Sequence, residues 1–91
     1  MLLFEWDEVK ARENLKIHKV SFDEGKTIFN DPFLLTYPDI DSSEAEERHI
    51  NIGLSAKNRV LVLTHTERQS KIRIISCRKA TARERRHYEE D

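Results

Sequence analysis

Residues 59–66, RVLVLTHT, and 71–78, KIRIISCR, decide the fold. The first is apolar on both sides of an extended chain, which predicts a central strand covered on both faces. The second is apolar with arginines threaded through it, and only ERQS (67–70) separates the two, so they predict an antiparallel hairpin. Working outward, RHINIGLS (48–55) alternates, with Ile50, Ile52 and Leu54 on one side and His49, Asn51 and Gly53 on the other. The short AKN connection (56–58) joins it to the central pair as a further hairpin. FLLTYPDI (33–40) predicts a fourth strand, and Pro38 assigns it to an edge, because proline cannot donate to a ladder.

The N-terminal third has a different period. LLFEW (2–6) is a short strand candidate. Asp7 then offers a helix-capping carboxylate, and Ala11, Leu15 and His18 share one face of the helix that follows. Ser21 and Glu24 have capping-box spacing, which predicts a second helix whose face carries Phe22, Gly25, Ile28 and Phe29. NDP (30–32) ends it. At the other end, Thr81 and Glu84 repeat the box and open a charged terminal helix. The expected architecture is α+β: a short N-terminal strand, two helices, an antiparallel four-stranded meander and a C-terminal helix. With 91 residues, one domain spanning 1–91 is expected.

Charge is unevenly placed. The chain carries a net −1, yet residues 71–86 hold seven bases against Glu84 alone, while 39–47 hold five acids and no base. A basic stretch of this density points to nucleic acid or an acidic partner. Lone Cys77 excludes an internal disulfide and fits a cytoplasmic protein. No apolar run reaches membrane-spanning length, so no membrane role is expected.

Two glycines leave no room for a phosphate-binding glycine loop, and there is no Gly-x-Ser-x-Gly elbow. The four histidines and one cysteine lack metal-ligand spacing, so neither a metal site nor a cofactor is expected. Strand parity places Arg73 with Ile75 on one face and Ser76 with Arg78 on the other, and gives Arg48 the parity of Ile50. Converging guanidinium groups from Arg48 and Arg78 make a donor cluster for a phosphate. Arg73, Lys79, Arg83 and Arg86 add a looser RNA-binding field. RNA can be cleaved without metal when its 2′-OH attacks the adjacent phosphate; that step needs a base, an acid and cations for the phosphorane. Glu84, His65, Tyr88 and His18 are the candidates for the proton transfers. The competing roles are capping for Glu84, a core position for His65, and packing of the terminal helix for Tyr88. A non-catalytic module that binds nucleic acid or protein through the same basic edge is the alternative.

FEWDEVKARENLKIHKVSF (4–22), RHINIGLS (48–55) and RIISCRKATARERRHYE (73–89) together resemble the BrnT family of bacterial toxins over nearly the whole chain. The positions that match are Trp6, Asp7, Lys10, Asn14, His18, Phe22, Arg48, Gly53, Ser76, Arg78, Ala80, Glu84 and Arg85. The resemblance implies a RelE-like fold and a toxin that inhibits translation by cleaving RNA. It also implies neutralisation by a BrnA-like antitoxin with a ribbon-helix-helix portion, in an assembly of two toxins with an antitoxin dimer. Operator DNA would then be contacted only through the antitoxin. Lys19 departs from the pattern, standing where the family often has a helix-ending glycine, and would cost about 1 kcal/mol if held at positive φ.

Overall fold

The computed structural model describes residues 1–40 and 46–90. Its elements are β1 (Leu3–Glu5), α1 (Glu8–His18), α2 (Phe22–Lys26) running into a 3-10 turn (Thr27–Asn30), β2 (Leu35–Pro38), β3 (His49–Leu54), β4 (Val60–Arg68), β5 (Lys71–Lys79) and α3 (Ala82–Glu90). The strands form one sheet in the order β1-β5-β4-β3-β2. β2 to β5 are the antiparallel meander the alternation predicts, with Pro38 on the edge strand, and β1 adds a parallel fifth strand against β5.

Local chemistry sets the element ends. Asp7 accepts hydrogen bonds from the Val9 and Lys10 amides at 2.8 and 3.2 Å and starts α1. Lys19 ends it in the left-handed region at φ 60°, the strained conformation its place in the sequence implied. The β4–β5 turn places Gln69 and Ser70 at φ 51° and 67°, the pair of positive values that matches strand twist in a two-residue hairpin.

The two capping boxes differ. At α3 the box closes, with the Glu84 amide donating to Thr81 Oγ1 (3.1 Å) and the Thr81 amide to Glu84 Oε1 (2.8 Å). At α2 only half forms. Ser21 accepts from the Glu24 amide, but the buried Glu24 carboxylate turns inward to Arg59 and Ser55. A guanidinium is a stronger donor than the Ser21 amide, so the carboxylate ties α2 to the β3–β4 hairpin instead.

One face of the sheet is covered by α1, α2 and the 3-10 turn. Val20, Phe22, Ile28, Leu61, Leu63, Ile72, Ile74 and Cys77 are buried there, flanked by Phe4, Trp6, Phe29 and Leu34. The face of α1 differs from the expectation: Leu15 is 49% exposed, and Asn14 is the residue α1 buries. Asn14 accepts from the Cys77 amide (3.1 Å) and donates to the Cys77 and Val20 carbonyls (2.7 and 2.9 Å). β1 ends opposite Arg73, so beyond it the edge of β5 lacks a strand partner. The Asn14 amide supplies the missing ladder bonds, and burying unpaired backbone would otherwise be costly.

Candidate functional site

The opposite face of the sheet carries the arginines. β5 has a register irregularity where Thr64 pairs with Ser76 but His65 pairs with Ile74, leaving Ile75 as an extra residue. Such a bulge reverses side-chain parity along the strand. Simple alternation put Arg73 and Arg78 on opposite faces; the bulge returns both to one face, together with Ser76. Arg48, just before β3, keeps the parity of Ile50 and Ile52 and therefore shares that face. Its approach is held by Thr66 Oγ1 donating to the Glu47 carbonyl and by the Asp39 amide donating to the Arg48 carbonyl. The rows of Arg48 and Arg78 lie four residues apart along the strands, about 13 Å. Ile50, Thr64 and Ser76 form the surface between them.

The guanidinium groups are committed to different degrees. Arg78 donates to both oxygens of Glu84, at 2.8 and 2.9 Å. Arg73 makes a longer contact of 3.4 Å with Glu5, its neighbour in the β1–β5 row. Arg68, on the same face, is paired twice with Glu46 at 2.7 Å. Among the described residues the Arg48 side chain has no hydrogen-bond or ion-pair partner. Of the acidic segment 39–47, residues 41–45 lie outside the described residues, and Glu46 is taken by Arg68.

A family model described as the ribonuclease toxin BrnT of type II toxin-antitoxin systems matches residues 6–84. The chain belongs to the BrnT family. The match takes in Arg48, Arg73, Arg78 and Glu84 and stops short of Tyr88. In three dimensions the chain is similar to the crystal structure of the BrnT ribonuclease toxin of Brucella abortus, with a TM-score of 0.69 at 20% identity. That likeness covers 89% of this chain and 99% of the Brucella one, and establishes the shared fold. No curated protein matches the chain.

In this BrnT chain the residues expected to move protons do not line the arginine face as a set. His65 is 3% exposed and lies on the helix-covered face, where its Nδ1 bonds to Asn51 and Phe29 packs on its ring edge-to-face. Burial and neighbouring His49 push its pKa down. Tyr88 donates its hydroxyl to Asp31; burial and that carboxylate raise its pKa to about 12. Asp31 also accepts from the Phe33 and Leu54 amides, so the contact fastens α3 to the end of β3. Glu84 is held down to about 2, chiefly by its bonds to Arg78, so it stays ionised and cannot act as an acid. His18 is exposed at the end of α1, on the side of the sheet away from the arginines.

The looser field is also divided. Lys79 pairs with Leu61 and points to the face opposite Arg78, while Arg83 and Arg86 are exposed one turn apart on α3. Sequence reasoning missed Tyr37. It pairs with Ile50 in the row Tyr37–Ile50–Thr64–Ser76, is 40% exposed, and lies near enough to Arg78 to interact electrostatically. The alternation of 33–38 contained that parity, but only the strand pairing says which face it serves.

Proposed function

We propose that this BrnT toxin cleaves RNA on the arginine-bearing face of the sheet, with Arg48, Arg73 and Arg78 binding the scissile phosphate and its neighbour. The observation that carries the reading is that Arg48, which has no hydrogen-bond or ion-pair partner among the described residues, lies on the same face as Arg78. Cleavage proceeds by 2′-OH attack on the adjacent phosphate, with the guanidinium groups stabilising the phosphorane charge and no metal in the chemistry. Glu84 does not transfer the proton; it positions Arg78, whose two donors are fixed by both carboxylate oxygens. The Tyr37 hydroxyl beside Arg78 replaces His65 and Tyr88 as the proton-transfer group.

The test is RNA cleavage in the presence of EDTA by the wild type and by Arg48→Ala, Arg73→Ala, Arg78→Ala and Tyr37→Phe. Arg48→Ala should lose about a hundredfold or more in rate, as removal of one transition-state donor does elsewhere. Intact RNA after incubation with folded wild-type protein would remove the catalytic reading. The second reading, a toxin fold that only binds, is supported by the neutralisation of Arg78 by Glu84. It expects RNA bound but uncut, and arginine variants that change affinity alone.

As a type II toxin, the chain has an antitoxin partner. The proposed partner is a BrnA-like, ribbon-helix-helix antitoxin in a two-toxin, two-antitoxin assembly, with operator DNA reached only through it. An antitoxin segment rich in carboxylates over the arginine face would neutralise Arg48 and exclude RNA. A cytoplasmic setting suits an RNA substrate and the free, buried Cys77.

A further inference from the structure

On the covered side of the sheet, His49 and His65 face each other across β3 and β4, their rings stacked at 4.9 Å and 22°. Glu67 follows two residues after His65 on the same face. One potential ligand atom from each of the three lies within 4.8 Å of the others. His65 is 3% exposed, and its Nε2 has no hydrogen-bond partner among the described residues. The nearest carboxylate oxygen, from Glu67, is 3.7 Å away. A buried ring nitrogen left unpaired is uncommon and requires a reason. The arginine face has no use for this cluster, since the sheet lies between them.

We propose that His49, His65 and Glu67 bind a divalent metal ion of the zinc class. Two imidazoles and one carboxylate are a ligand set such ions favour, leaving a fourth position for water. Zinc bonds of about 2.0–2.2 Å place tetrahedral ligand atoms about 3.4 Å apart, so the widest pair in the present cluster must close by up to about 1.4 Å. The required freedom exists: the Glu67 side chain is 67% exposed and His49 only half-buried.

Binding also demands a change at Asn51. Its Nδ2 lies 2.8 Å from His65 Nδ1 and donates to the Leu63 carbonyl at 3.0 Å, while Thr36 donates to its Oδ1 at 2.8 Å. Nδ1 is therefore an acceptor and the ring proton sits on Nε2. A metal on Nε2 moves that proton to Nδ1, and the Asn51 amide must turn over to accept it. The ion would tie the first residue of β3 to β4, directly after Arg48, without reaching the RNA face.

Chelator-stripped protein titrated with zinc chloride in a calorimeter should bind one equivalent, and zinc should raise the melting temperature. His49→Asn and Glu67→Gln alter accessible side chains, and circular dichroism of each metal-free variant verifies its fold. Each variant should weaken binding by more than about tenfold, a loss that even outer-shell changes can cause. In ring-labelled protein, the proton of His65 should move from Nε2 to Nδ1 on zinc addition. Absence of binding overturns the site. So does unchanged affinity in either variant, which would place the ion elsewhere, for instance at His18 or His87.

Discussion

Lys19 shows how a single backbone angle records strain. It ends α1 at φ 60° with its amide donating to the Leu15 carbonyl, a geometry glycine adopts without a Cβ penalty. Lys19→Gly should therefore stabilise the protein by about 1 kcal/mol, measured as a shift in the urea midpoint. Glu84 carries a different kind of information. Its carboxyl is held at about 2 against an ordinary 4.5 by Arg78 and the Thr81 amide. The folded state thus releases this proton more readily than the unfolded chain. The resulting stabilisation is complete above about pH 4.5 and is lost as pH falls through about 2. Glu84→Gln should flatten the acid limb of the stability profile in that window, while leaving Arg78 without its fixed partner. A stability profile identical to wild type below pH 4.5 would mean the pair contributes nothing.

Elements meet here through a few close approaches. Gly53 in β3 faces the 3-10 turn, and an added Cβ would stand 2.8 Å from Leu34 Cδ1 and 3.1 Å from Ile28 Cβ. Ile28 is fully buried, so it has nowhere to retreat. Gly53→Ala should destabilise by about 1–3 kcal/mol, read from thermal or denaturant unfolding, by overpacking that contact. On β5 a similar economy places Asn14 where a strand would otherwise continue, and the Asn14 bonds to Cys77 hold the segment that leads into Arg78. The bulge on the same strand decides which face Arg73 occupies. Were Ile75 taken into the regular alternation instead of standing as the extra residue, Arg73 would point into the helix-covered side.

At the scale of the molecule, a chain of net charge −1 presents arginines from β4, from β5 and from the start of β3 on one surface, with Glu84, Glu5 and Glu46 each pairing one of them. Arg48 is left with the least compensation among the described residues. Binding of the protein to an uncleavable 2′-deoxy analogue of single-stranded RNA should therefore weaken as salt rises, with a slope reduced by about 0.7 when Arg48 becomes alanine. A slope indifferent to Arg48 would show that the contact lies elsewhere, on Arg83 and Arg86 for example. No helix among the described residues is long and apolar enough to cross a membrane.

The meander, its edge strand, the helix starts and the family were legible in the chain itself, because apolar periodicity, proline placement and capping side chains act over a few neighbouring residues. Asn14, the open half of the Ser21 box, the shared face of Arg73 and Arg78, and the position of Tyr37 were not. Each depends on what another strand or helix brings alongside: an unpaired edge, a competing guanidinium, an extra residue in one strand, a register across a hairpin. His65 is the clearest case. Its parity with Leu61 and Leu63 was visible, but only pairing with His49 and the fold of α2 over the sheet removed it from the arginine face, because solvent and neighbours are assigned by packing rather than by spacing.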